Sequence, residues 1–192
     1  YLDDWLLEFS AFEDLVKSMK RYDGRLELVS SYEIEGKRVF SLYRIIPPDF
    51  TTPWTIPLSH TVQQTGTTRD DGRSERVRIA YVGKHTEGYL QHGQILRGTP
   101  GRYRIRYSLS VPRGSQTAPP SAQPVLRLEA GDGCSREVLA GELTVGAYGF
   151  ADLICDFQQA PRAPLRVYWL GTVSVKLAEF SIERLGPAES PK

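Results

Sequence analysis

Three arginines stand at alternate positions in "GRYRIRYSLSV", residues 101 to 111. Arg102, Arg104 and Arg106 share one phase, while Tyr103, Ile105, Tyr107, Leu109 and Val111 occupy the other. Guanidinium groups are planar, always charged and able to grip carboxylate or phosphate through two parallel bonds, so such a row has the chemistry of an anion-binding surface. Arg127, in "VLRLEA", shares the outward phase of Glu129 and extends the row onto a neighbouring strand. Aromatic rings give a second lead. Tyr148, Tyr168, Tyr89 and Trp54 fall outside the obvious core phase. Rings of this kind pack on the apolar faces of sugars, while polar side chains hydrogen-bond the hydroxyls at the sugar's edge.

Residue patterns for turnover are missing. His60, His85 and His92 are scattered without metal-ligand spacing, so no metal and no cofactor is expected. There is no nucleophile elbow, Walker loop or dinucleotide glycine pattern, and "GAYGF" at 146 to 150 lacks the strand-to-helix setting of a phosphate loop. Asp70-Asp71 sits in the turn "TTRDDGRSE", and Asp152 and Asp156 alternate outward on a strand, so neither pair has the pocket a glycosidase acid and base require. No catalytic residue is assigned.

The elements that must carry these side chains divide into two units. Residues 1 to 48 hold 7 Lys/Arg against 9 Asp/Glu and read as a small α+β unit. Ser10 with Glu13 forms a capping box, Asp23-Gly24 supplies a stop, and the stretch between predicts a helix with Phe12, Leu15, Val16 and Met19 on one face. "RLELVSSYEIEGKRVFSLYRII" then predicts a β-hairpin turning at Glu35-Gly36. Two strands are marginal alone, so a third is expected, ending at Tyr1-Leu2 and beginning upstream. Residues 49 to 57 form a Pro-rich linker, since proline cannot donate to a ladder. From 58 to 187 the helical period vanishes. Eight or nine short strands separated by Gly, Pro, Asp and Ser turns predict an antiparallel jelly-roll β-sandwich, so the whole chain is mainly β.

Within this frame, Leu165, Val167 and Trp169 share a phase against Arg166, Tyr168 and Leu170, which sends Trp169 inward and exposes Tyr168. Two cysteines allow one disulfide or none. Cys155 is in phase with Leu153 and Phe157, predicting a buried thiol, and Cys134 lies in the turn "AGDGCS". A bridge between them would suit an oxidising compartment. The net charge of +1 is not that of a nucleic-acid binder. Apolar runs fall short of the ~20 residues that cross a bilayer. A start at Tyr1 without a leader reads as a piece cut from a longer chain.

The succession "GYLQHGQILRGTPGRYRIRYSLSV", "PVLRLEAG" and "FADLICDFQQAPRAPLRVYWLGTVSVKLAEFSIERL" resembles carbohydrate-binding-module-like jelly rolls over residues 75 to 185. Separately, "YLDDWLLEFSAFEDLVKSMKRYDGRLELVSSYEIEGKRVFSLYRI" is similar to the strand, helix and hairpin that follow the last membrane helix of bacterial polytopic glycosyltransferases of the dolichyl-phosphate-mannose mannosyltransferase-like class. This double resemblance implies an extracytoplasmic, periplasmic or cell-surface location and a membrane domain elsewhere in the same polypeptide that carries the catalysis. It also implies a jelly roll that holds or orients a glycan or lipid-linked glycan. A structural calcium near Glu179 is a feature of some such modules, but no second acidic ligand can be set beside it here. Two functions stand side by side: a non-catalytic sugar-binding accessory domain, and a docking domain that binds no sugar. The arginine row is likewise open between a solvated sheet face, paired with Glu129 and Glu137, and a contact for an anionic glycan.

Overall fold

The computed structural model describes residues 5–9, 26–35, 37–45, 49–58, 61–70, 76–114, 120–131 and 133–189. The expected helix over residues 10 to 24, the linker's first neighbour Pro48, His60 and Asp71 lie outside them. The chain separates into two compact units, Tyr1–Pro48 and Asp49–Lys192.

In the first unit a three-stranded antiparallel sheet runs β1–β3–β2, with β1 at Trp5–Phe9, β2 at Leu26–Ile34 and β3 at Lys37–Ile45. The hairpin β2–β3 turns at Glu35, which takes a positive φ of 52°. The third strand comes from Trp5–Phe9 rather than from a segment ending at Tyr1-Leu2, and Trp5 stands opposite Arg44.

Among the described residues of the second unit there are ten strands: β4 (Trp54–Pro57), β5 (Thr67–Asp70), β6 (Arg76–Ala80), β7 (Gly88–Arg97), β8 (Gly101–Ser110), β9 (Pro124–Ala130), β10 (Ser135–Leu139), β11 (Gly149–Phe157), β12 (Arg162–Trp169) and β13 (Val175–Gly186). One sheet has the order β10–β9–β12–β7, the other β11–β8–β13–β6–β5 with β4 added against β13. The chain crosses repeatedly between the two sheets, so this is an antiparallel sandwich. The stretch expected as a linker therefore contributes a strand. Proline tolerates that position because β4 pairs on one side only, as Trp54 to Pro57 run against Ile182 to Glu179.

Alternation explains which face of β8, the strand between β11 and β13, turns inward. Tyr103, Ile105, Tyr107 and Leu109 are buried in the core against Leu126, Leu128, Val167 and Trp169 of the facing sheet. Burying each such side chain contributes roughly 1.5–3 kcal/mol, which fixes the strand's inner face. Trp169 is fully buried and donates its indole N–H to the carbonyl of Val173 at 2.7 Å, as the phase of β12 predicts. Tyr107 stacks on Phe180 at 5.5 Å between centroids. Its hydroxyl, however, has no partner, and burial pushes the phenol well above its ordinary range. A buried hydroxyl without a partner costs about 1–3 kcal/mol in desolvation. Tyr107→Phe is therefore expected to raise the denaturant midpoint of unfolding, by about 1 kcal/mol in stability; a clear loss would mean that the hydroxyl is satisfied in solution.

Cys134 and Cys155 are joined in a disulfide with Cα atoms 5.8 Å apart. The thiol expected at Cys155 is thus one half of a bridge between the turn before β10 and the inner side of β11. The polar segment at 112 to 124 is described only in part, as residues 115 to 119 lie outside the described set. Among the described residues no helix is long and apolar enough to cross a membrane.

Candidate functional site

The arginine row faces outward from β8, and its neighbours neutralise it. Arg106 donates through Nε and Nη2 to both oxygens of Asp152, each at 2.7 Å. That two-point bond holds the Asp152 carboxyl below its usual range and raises the Arg106 guanidinium. Arg104 pairs with Glu183 on β13, and Arg102 pairs with Glu189 and approaches Asp156 at 4.0 Å. The expected partners Glu129 and Glu137 play no part here, because β9 and β10 belong to the other sheet. For the same reason Arg127 does not extend the row: it leaves the sandwich from the opposite sheet. Each of the three cations has a carboxylate within reach, so the row is a cross-strand ion ladder. The Arg106 guanidinium also lies 5.3 Å over the ring of Phe150, which is 66% exposed.

A different constellation forms on the outer face of the four-stranded sheet. Register brings it about in two rungs. In one, Arg127 of β9 stands opposite Tyr168 of β12, which stands opposite Tyr89 of β7; in the next, Glu129 stands opposite Arg166. Tyr89 and Tyr168 meet edge to face, 5.1 Å between centroids and at 87°. The Arg127 guanidinium lies 5.1 Å over the Tyr168 ring, and that of Arg166 lies 5.9 Å over the Tyr89 ring, both within cation–π range. Arg127 donates through Nε to Glu129 at 2.6 Å, a bond that raises its own pKa, while Arg166 approaches the other Glu129 oxygen at only 3.7 Å. His92 completes the patch, 5.8 Å from Tyr89.

This patch is rigid for reasons that can be traced. Strand β7 advances two residues, Tyr89 to Gln91, against one on β12, and again slips between Gln91 and Gln94. These bulges aim Tyr89 and His92 to the same outer side, and Gly93 takes up the twist with a φ of 88°. The backbone of His92 exchanges both hydrogen bonds with Val62, at 2.8 and 2.9 Å. Behind them Arg78, on the inner side of β6, donates to the carbonyls of Val62 and Leu90 from Nη1 and of Leu58 and Thr61 from Nη2. Both the covering loop and β7 are thus held by one buried guanidinium, which burial pushes down to about 10.

Of the sequence-derived candidates, Tyr89, Tyr168 and Arg127 come together in this patch, and Arg102, Arg104 and Arg106 stand on the other sheet. Tyr148 lies elsewhere, half-buried with Tyr81 against Val77, Ile79 and Ala178 on the six-stranded sheet. Trp54, 37% exposed, packs on Phe50 at 5.6 Å at the β4 edge. Arg166, Glu129 and His92 were not among the stacking and contact candidates. The outward phase that Arg166 shares with Tyr168 was the available signal. Near the sheet edges a groove of about 610 Å³ is lined by the Cys134–Cys155 bridge, Asp156, Phe157, Gln159 and Arg162. Glu179 is half-buried on β13, and among the described residues no group of three or more His, Cys, Asp or Glu stands together to hold a metal ion.

No protein-family model matches the chain, and no curated protein matches it. Solved structures similar to it include the Bacillus thuringiensis insecticidal crystal protein Cry7Ca1, with a TM-score of 0.45 and 9% identity over 83% of this chain and 29% of that one. Another is the Arthrobacter globiformis isomalto-dextranase in complex with panose, with a TM-score of 0.38 and 16% identity over 75% of this chain and 25% of that one. A third is the CBM22-1–GH10 modules of Clostridium thermocellum xylanase 10B in complex with xylohexaose, with a TM-score of 0.34 and 11% identity over 75% and 28%. The chain spans less than a third of the length of each of these proteins.

Proposed function

We propose that the Asp49–Lys192 unit is a non-catalytic carbohydrate-binding domain whose ligand surface is the outer face of the four-stranded sheet around Tyr89 and Tyr168. The observation that carries this reading is the two-rung patch itself: two half-exposed tyrosines at right angles, held by cross-strand register and flanked by Arg127 and Arg166. A sugar ring gains from an apolar platform whose position is already fixed, since ordering side chains on binding costs affinity. In the fuller form of the proposal, the domain is the accessory part of a membrane glycosyltransferase and holds or orients a glycan or lipid-linked glycan outside the cytoplasm. The Cys134–Cys155 disulfide supports that compartment, because such bonds persist where the medium is oxidising.

A second reading, a domain that docks on its own membrane part or on a partner and binds no sugar, draws on Phe150 and Ile154. These are 66% and 39% exposed on the edge strand β11. A glycan-array screen of the chain at physiological salt separates the two. Binding is expected, and Tyr168→Ala should weaken it by about tenfold or more. Binding that is unchanged in both Tyr89→Ala and Tyr168→Ala would remove this face from the account, and binding to no glycan at all would leave the docking reading.

A further inference from the structure

Arg166 differs from the other half-buried arginines of the sandwich in what its donors do. Arg104 and Arg106 spend their donors on carboxylates, Arg127 bonds Glu129 at 2.6 Å, Arg136 reaches Glu142 and the Asp152 carbonyl, Arg184 donates to the Pro100 carbonyl, and the buried Arg78 gives its terminal N–H groups to four carbonyls. Among the described residues Arg166 has a ring contact with Tyr89 at 5.9 Å and an ion pair with Glu129 at 3.7 Å, and no hydrogen bond. Its guanidinium thus lies beside the Tyr89 ring, and among the described residues none of its N–H groups makes a hydrogen bond. Arg127 and Arg166 both approach the carboxylate of Glu129, whose side chain is 12% exposed, while Glu137 of β10 stands opposite Arg127 on the neighbouring strand.

We propose that this face selects acidic glycans, with Arg166 taking the carboxylate of a uronic acid, or another sugar-borne anion, through two parallel bonds while Tyr168 and Tyr89 carry the sugar ring. This rests on the reading of the patch as a glycan surface and adds its ligand class. The chemistry favours it over a neutral sugar. The planar fork of a guanidinium matches a carboxylate, and charge-assisted bonds are about twice as strong as neutral ones. It also locates anion binding on the sheet opposite the row of Arg102, Arg104 and Arg106, where carboxylates already occupy the cations.

The test is calorimetric titration of the whole chain with hexagalacturonate and, as the neutral counterpart, maltohexaose, with inorganic phosphate as an anion lacking a sugar. Hexagalacturonate is expected to bind at least tenfold more tightly than maltohexaose and to weaken as salt rises from low to physiological. Arg166→Gln should cost about ten- to a hundredfold for hexagalacturonate and leave maltohexaose within about twofold. Glu129→Gln, which removes the competing carboxylate, should tighten hexagalacturonate binding or leave it unchanged. Equal affinities for the two hexamers, or an Arg166→Gln protein that binds hexagalacturonate like the parent, overturns the acidic selectivity. If Tyr168→Ala still abolishes maltohexaose binding in that case, the glycan surface itself stands. Phosphate bound as tightly as hexagalacturonate overturns the proposal by reducing the site to an anion contact. Binding of neither hexamer overturns it too, and counts against the glycan reading beneath it.

Discussion

Arg78→Met is expected to lower the stability of the sandwich by about 3–5 kcal/mol, the range found when one side of a buried charged contact is deleted. In this unit that corresponds to a fall in melting temperature of roughly 10–20 °C. Arg78 is 4% exposed, and its four terminal N–H groups go to four backbone carbonyls at 2.7 to 3.0 Å: those of Leu58, Thr61, Val62 and Leu90. No carboxylate is among these partners, and Nε makes no bond. The carbonyls together replace the counter-ion, each presenting its negative end to the cation. Methionine fills part of the volume and satisfies none of them, so every carbonyl that water cannot reach keeps its desolvation cost. Lysine has three donors in a compact head and cannot span four carbonyls in two directions, so Arg78→Lys should fall between the two. Thermal denaturation followed by circular dichroism measures all three proteins. A methionine variant within about 1 kcal/mol of the parent would mean that the 58–62 segment is held by something else. Because the same guanidinium holds Val62, whose backbone pairs with His92, the proposed glycan surface predicts weaker glycan binding by the lysine variant below its melting temperature.

The strength of this prediction comes from a feature that strand alternation conceals. In "ERVRIA" a period of two invites Val77 and Ile79 inward and Arg76 and Arg78 outward. The reverse holds: Val77 and Ile79 sit on the outer side beneath Tyr81 and Tyr148, and Arg78 shares the inner side with Ala80. Alternation says which residues share a side, and it says which side is wet only when nothing else covers the apolar one. For β8 the two questions had the same answer, since Tyr103, Ile105, Tyr107 and Leu109 are all buried and the arginines are not. Trp169 inward with Tyr168 outward was equally legible, as were the strands at 124 to 130 and 149 to 157. What alternation cannot supply is the neighbour. The partners of the arginine row lie on β11, on β13 and at Glu189 beyond it, more than 40 residues downstream of β8, and β9, which follows β8 in sequence, belongs to the facing sheet. The pairing of Tyr168 with both Tyr89 and Arg127 is of the same long-range kind, which is why three scattered candidates turn out to be one site and Tyr148 and Trp54 do not join it. Strand β5 and the β4 strand in the proline-rich stretch are short, four residues each, and carry too little pattern to declare themselves.

Reducing the Cys134–Cys155 bond should cost the domain about 3 kcal/mol, the loop-closure value for a bridge across some 21 residues. The location of the bond makes that figure meaningful. Strands β10 and β11 are the edges of their respective sheets among the described residues. The disulfide and the donation of Arg136 Nη1 to the Asp152 carbonyl at 2.6 Å link these edges. Without the covalent link the unfolded chain regains the freedom of the intervening segment, while the folded state keeps the Arg136 contact. The expected fall in melting temperature on adding a phosphine reductant is roughly 6–12 °C. A Cys134→Ser/Cys155→Ala double variant should melt at the temperature of the reduced parent and be indifferent to reductant. Coincident melts of oxidised and reduced parent, or two thiols that alkylate in the folded protein without reductant, would show that the bond does not close this edge. It would also withdraw the physical support for an oxidising compartment, leaving that location to rest on resemblance alone.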